Sequence, residues 1–380
     1  MRYLTIAALL ATTTAAGRTP DQSGTFSLAS ATWMVDEALS NIHGVASFRD
    51  GRVLIADSRE RLLYIASRDG RLTRYGSAGE GPGEYQSVYS ITRVRGDSLL
   101  VFDNRNRRFL RFAADGRQVQ DVPIPAELLR AGGIAPVTGS DANGRLYWVG
   151  DVVGTEGGLP KRAAVHRIRA WMPGQTAVTI VAPLRDHADD RHAQAFHPFS
   201  ARDAFVIAPD GRVGVLSATD YRLRWYRDNR IVAEGPPIPY VNVRLTAAER
   251  SAFRRARAGQ PAGGISMSGG GSRDEPSPEA MRRMTEAYPD ALFPDAFPPF
   301  DADAVRRSPR GDVWVTLSAP SAATQVMVDV LREDGTRRGS LRLPTGRRLV
   351  SLAPEGVYLK RVDDDGLEWL ERYAYPSGLN

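Results

Sequence analysis

The chain has 380 residues, with 50 Lys or Arg against 44 Asp or Glu, and no cysteine. The missing cysteine excludes disulfides, thiolate metal sites and a cysteine nucleophile. Hydrophobic residues at 42% and charged residues at 25% exclude a globally disordered chain. Length alone suggests two or three domains, although large all-β folds exceed this size as one unit. Only Lys161 and Lys360 are lysines, so the other 48 basic residues are arginine. Gly at 36 and Pro at 25 favour many turns over long helices.

Met1, Arg2 and Tyr3 make a short basic start, Leu4 to Ala11 is apolar, and Thr14-Ala15-Ala16 is a small-residue stretch before Gly17. The three regions in this order predict a secretory signal peptide over residues 1–16 and an extracytoplasmic mature chain, periplasmic or secreted. Eight apolar residues cannot span a bilayer, which needs about 20. No other stretch approaches that length, so no integral membrane segment is expected after cleavage. Stability without disulfides must then come from a core or from closure of the fold.

Two segments align without gaps 46 residues apart. The first runs from Val53 through Asp57, Arg59, Arg61 and Asp69-Gly70-Arg71. The second runs from Leu99 through Asp103, Arg105, Arg107 and Asp115-Gly116-Arg117. Each has a short apolar strand, a polar turn opened by Asp, an alternating strand and an Asp-Gly turn, which is a strong hairpin signal. Asp57 and Asp103 are expected to hydrogen-bond their own turn backbones.

The same grammar recurs at a glycine turn before each apolar strand: Gly51, Gly96, Gly144, Gly211, Gly311 and Gly356. In the first unit the strands fall at about 44–48, 53–57, 62–66 and 71–75. Six units of four antiparallel strands predict an all-β, six-bladed β-propeller. The sixth unit offers strands near 349–353, 357–362 and 367–374 and then the chain ends. The run Thr25 to Val35 therefore supplies the missing strand of the last blade, and residues 17–380 form one closed domain.

Here the chain resembles the six-bladed β-propeller family related to NHL repeats, common among secreted bacterial proteins. The resemblance is carried by Val53-Leu-Ile-Ala-Asp57, by Gly79-Glu-Gly-Pro-Gly-Glu-Tyr85, and by Asp203 to Gly211 followed by Tyr221-Arg-Leu-Arg-Trp225. It implies the fold and leaves the activity open.

A long insertion, about 240–300, separates the fourth and fifth units. Thr246 and Glu249 form a capping box that predicts a helix to about Ala258. Ser277 and Pro278 open a second helix that ends near Tyr288-Pro289. Between them Gly259 to Arg273 reads as a flexible loop. Phe293, Phe297 and Phe300 are expected to pack under the helices. As a lid over the pore, the insertion would have a functional role instead.

Five histidines exist: His43, His166, His187, His192 and His197. The last three cluster with Asp186, Asp189 and Asp190, but a spacing of five between His187 and His192 does not stack on a helix face. A solvated polar loop is expected, and no metal site. The blade carboxylates Asp57, Asp103, Asp151 and Asp220 read as turn caps. Gly79 to Gly83 opens no helix, so a phosphate cradle is not expected. Gly264 to Ser268 is no nucleophile elbow. No catalytic residue and no cofactor are nominated.

The basic excess is spread through strands and turns, so nucleic acid is not an expected partner. It reads as compositional bias plus solvated faces, with Arg105 to Arg108 as the one segment that could meet an anionic surface. The functional expectation is a binding module for a small molecule, glycan or protein, leaning away from an enzyme. The alternative is a metal-dependent hydrolase or lyase at the central pore, with a divalent cation such as calcium and the 240–300 insertion as its lid. Pore lining separates the two: apolar or unpaired arginine side chains there count against catalysis.

Overall fold

The computed structural model describes residues 24–119, 121–126, 137–150, 155–156, 159–160, 165–187, 197–258 and 277–379. The signal-peptide reading, His192, Asp151 and the Gly259–Arg273 loop lie outside them.

Six antiparallel sheets follow one another in chain order. Blade one is Ile42–Ser47, Val53–Asp57, Leu62–Ala66 and Leu72–Tyr75. The first strand of each later blade is Val88–Val94, Gly139–Ser140, Ala204–Ile207, Phe300–Arg307 and Arg347–Ala353. These first strands touch each other in ring order, and that of blade six touches that of blade one, so they line the centre. All six marker glycines have positive φ, from 75° at Gly96 to 159° at Gly356, a region that costs glycine little.

The core is divided between the blades. One apolar cluster fills each of the six interfaces, and every blade contributes to two of them. Trp148, Trp171, Trp225 and Trp314 are all essentially buried in these layers. A single blade would expose both apolar faces; ring closure removes both.

Blade six has three strands of its own, Arg347–Ala353, Gly356–Val362 and Glu368–Tyr373. Its fourth is Trp33–Met34, antiparallel to the last of these. The Thr32 and Val35 amides extend the pairing to the Arg372 and Leu370 carbonyls at 2.8 and 3.0 Å. Closure by the N-terminal segment therefore holds, with one correction. The expected strand over 25–35 is two strands on two blades. Gly24–Ser27 pairs in parallel with Arg337–Arg342, as a fifth strand on blade five. The reason is steric: a Cβ on Gly339 would lie 2.4 Å from the Phe26 ring. Glycine at that position lets Phe26 reach the core between blades five and six.

The linker Gly79 to Tyr85 clamps blade one. The buried Tyr85 hydroxyl accepts from the Leu63 amide at 2.9 Å and donates to the Tyr75 carbonyl at 2.6 Å. The Gly81 amide donates to Glu84 at 2.8 Å. A Cβ on Gly79 would lie 2.0 Å from that same carboxylate.

The insertion carries helices at Ala247–Ala258 and Pro278–Ala287. Thr246 Oγ1 accepts from the Glu249 amide at 3.3 Å, as an N-cap should. The other half of the expected capping box is replaced. The Glu249 carboxylate accepts from the amide and hydroxyl of Ser321, each at 3.1 Å, which ties the helix to blade five. Phe293 and Phe297 are buried with Leu245 against Phe199, Phe253 and Tyr288, whereas Phe300 belongs to the core between blades four and five.

Candidate functional site

All six central strands run in the same direction, so their N-terminal ends gather at one mouth of the channel. The residues there are unusual for an innermost strand. Phe300–Arg307 reads FDADAVRR and places Asp301 and Asp303, both exposed, at the start of its course. His43 comes from blade one, Arg202 from just before the central strand of blade four and Arg348 from the start of that of blade six, whereas Arg306 sits near the far end of the blade-five strand and folds its guanidinium back to the Asp303 carbonyl.

Arg306 spans two blades. Its Nε donates to the Val350 carbonyl of blade six at 3.4 Å, and Nη1 donates to the carbonyls of Val305, at 2.9 Å, and Asp303. All three partners are neutral. Burial pulls the guanidinium below its ordinary value, with the Asp303 charge opposing. Arg202 Nε is buried without a hydrogen-bond partner. Arg348 is exposed and faces Lys360 across the ladder. Among the described residues none of these three arginines forms an ion pair.

The carboxyls respond to this setting. Asp301 keeps its contact with solvent, yet the protein crowding the channel pushes its carboxyl up from the usual aspartate value and Asp303 adds to the shift, while Arg202 and Arg348 oppose it. Those couplings place the two arginines around one carboxyl. The same crowding lowers His43, which also keeps solvent contact; Lys360 and Arg306 add to the shift and Asp303 and Glu368 oppose it, so the ring lies amid groups from blades five and six.

The other residues singled out in the sequence have structural partners. Asp57 caps its turn through the Arg59 and Glu60 amides, both at 3.0 Å, and also accepts from the Ser40 and Asn41 amides of the preceding loop. Asp103 takes the Ser87 amide at 3.0 Å and Asn106 Nδ2 at 2.8 Å. The expected bonds to its own turn backbone are not among these: the preceding loop and a turn side chain take the carboxylate instead. Asp220 binds Arg224 at 2.5 Å. Arg108, from the segment that could have met an anionic surface, donates instead to the carbonyls of Glu80, Gly81 and Glu84.

Among the described residues no three His, Asp or Glu side chains converge as ligands, and Asp189, Asp190 and His192 lie outside them. His197 is buried. His187 Nε2 lies 2.9 Å from Asp203 Oδ1, and Asp203 is fixed by the Ala218 and Arg185 amides at 3.0 and 3.1 Å. Expected to be a solvated loop, this stretch instead contains an imidazole held by a buried carboxylate.

Comparison with known proteins agrees with the fold. Residues 36–130, which cover the first two blades, match the family model described as 6-bladed beta-propeller. The family resemblance read from the blade motifs holds. Among solved structures, the chain is similar to a protein of Bacteroides fragilis titled as exported, at 10% identity and TM-score 0.45, covering 92% of this chain and 99% of that one. A gluconolactonase of Xanthomonas campestris is similar at 11% identity and TM-score 0.45, covering 93% and 99%. A streptogramin B lyase is similar at 10% identity and TM-score 0.41, covering 90% and 85%. Identities this low carry no activity over to this chain. Comparison with curated proteins gives no match. No helix of the described residues is long and apolar enough to cross a membrane.

Proposed function

We propose that this protein is an exported binding propeller that takes a soluble small molecule, or one group of a glycan or protein partner, at the channel mouth. The observation that carries this reading is the set of arginines, Arg202, Arg306 and Arg348, which form no ion pair among the described residues and stand beside Asp301 and Asp303. Like charges gathered from three blades without direct ion pairs repel one another, and a site that meets ligand polar groups supplies a reason to keep them. The test is a thermal-shift screen of small metabolites and oligosaccharides on the full chain, repeated on Asp301→Asn/Asp303→Asn. Hits that depend on the two carboxylates support the reading. Hits indifferent to them would place binding elsewhere.

A second reading, a hydrolase or lyase, is favoured by one pair. Asp203 orients His187 as a carboxylate orients a general base, and the second ring nitrogen has no other hydrogen bond among the described residues. A divalent cation under this reading would meet Asp301 and Asp303 first. Metal analysis and thermal shift with Ca²⁺, Zn²⁺ and EDTA decide for the cation; a bound ion or a stabilising shift would revive this alternative. Export is tested by fractionation of cells expressing the full chain, with cleavage expected before Gly17.

A further inference from the structure

We infer that the channel mouth is built for a compact oxyanion, a carboxylate or phosphate group, received by Arg306 and Arg348 with Arg202 behind them. The inference rests on the channel-mouth reading and names the chemistry of its ligand.

Three features point to an anion in place of a cation or a neutral sugar. The arginines come from three consecutive blades, four, five and six, so their charge converges on the axis from separate strands. Among the described residues none of them has a carboxylate within ion-pair distance, although elsewhere in this protein arginines commonly find one: Arg347 and Arg361 share Glu371 at 3.0 and 3.1 Å, and Arg212 holds Asp210 at 2.6 Å. The local carboxylates do not neutralise them. Arg202, Arg306 and Arg348 are three cations around the two carboxyls of Asp301 and Asp303, which leaves a positive excess. Lys360 is already matched by Glu368 at 2.8 Å and adds no free charge. Guanidinium groups suit carboxylate and phosphate because their planar fork donates two parallel hydrogen bonds.

A purely structural role for Arg306 is the competing account, since its carbonyl contacts stitch blade five to blade six. It does not extend to Arg348, which is exposed, or to the orphaned Nε of Arg202.

The test uses His43 as a reporter, because its ring lies amid Asp303, Arg306, Lys360 and Glu368 and belongs to neither proposed contact. The full chain, labelled at the histidine rings, is titrated with sodium phosphate and sodium acetate. Sodium chloride at matched ionic strength, glucose and calcium chloride are run in parallel. The His43 signal is assigned with His43→Gln. We expect saturable shifts with phosphate or acetate, weakened about tenfold by Arg348→Gln, on the scale of one charge-assisted hydrogen bond. Arg306→Gln should do the same, and Arg283→Gln, on the exposed insertion helix, should change nothing. If chloride reproduces the shifts, or Arg348→Gln leaves them intact, the inference is overturned. A response to glucose or calcium alone overturns the oxyanion and keeps a ligand at the mouth. Silence from every probe counts against both.

Discussion

In blade six the two buried carboxylates, Glu371 and Glu368, each have a counter-ion. Buried Glu371 receives Arg347 through two nitrogens, Arg361 at 3.1 Å and the Tyr373 hydroxyl at 2.6 Å. Glu368 receives Lys360 at 2.8 Å and the Ile42 amide of blade one at 2.5 Å. The neighbouring channel mouth uses the same residue types and leaves them unmatched: Arg202, Arg306 and Arg348 have no ion pair among the described residues, and Asp301 and Asp303 stand exposed. Paired charge in blade six fixes one strand to the next. At the mouth, exposed Arg348 makes no such bond, which marks a surface kept for something else.

The largest effect that tests this contrast is on closure. Deleting residues up to Met34 removes the fourth strand of blade six, and the chain should lose its cooperative unfolding transition, read by calorimetry. Deleting only up to Ser27 should lower the melting temperature and leave the transition cooperative, because it strips the extra strand of blade five. Equal outcomes would break the distinction between the two N-terminal strands. Trp33→Ala should come next. Trp33 is buried, meets Tyr358 edge-on at 6.1 Å and donates from Nε1 to the Ser67 carbonyl at 3.2 Å. Large aromatic-to-alanine changes in cores cost about 3–5 kcal/mol, measurable by urea unfolding.

Glu371→Gln should cost less, about 2–3 kcal/mol, because the arginines it leaves behind are partly solvated and the full penalty of a broken buried pair does not apply. Its pH dependence sharpens the point. Burial raises the Glu371 carboxyl, but the Arg347 and Tyr373 hydrogen bonds and the nearby guanidinium charges outweigh it and hold it below the usual glutamate value. Its stabilisation is therefore complete above the unfolded value of about 4.3 and is lost as pH falls through the depressed native value. The stability gap between the native chain and Glu371→Gln should narrow over that acid range; a constant gap would contradict the assignment. The smallest effect belongs to Arg348→Gln. An exposed residue without an ion pair should shift stability by no more than about 0.5 kcal/mol.

The blades were legible because each repeats a local signal: a glycine turn, an apolar strand, an Asp turn. Predicted boundaries for blade one and blade six fall within two residues of those observed. The insertion helices were legible from Thr246 and Pro278 for the same reason, since caps are written within a few residues. What depended on distant partners was not. Glu249 reads as the second half of a capping box until Ser321, in another blade, claims its carboxylate. Gly24–Ser27 carries no mark of the blade it joins.

The arginine excess shows both sides. Several arginines follow an Asp-Gly turn, and in Asp50-Gly51-Arg52, Asp115-Gly116-Arg117 and Asp210-Gly211-Arg212 the Asp takes both the amide and the Nε of the arginine two residues on. That recurring clip was present in the repeat and read only as composition. The mouth cluster had one local signal, the charged alternation of Asp301 and Asp303 in a strand that should line a core. Its arginines are gathered from three blades by the ring, and no spacing in the sequence announces them.

The most direct measurement is one comparison of two variants, Glu371→Gln and Arg348→Gln, each melted with and without sodium phosphate at constant ionic strength. The account predicts a crossover. Glu371→Gln should lower the melting temperature and keep the phosphate-induced rise. Arg348→Gln should melt close to the native chain and lose that rise. If Glu371→Gln melted like the native chain, or Arg348→Gln kept the full response to phosphate, the division between paired structural charge and unpaired recognition charge would be contradicted.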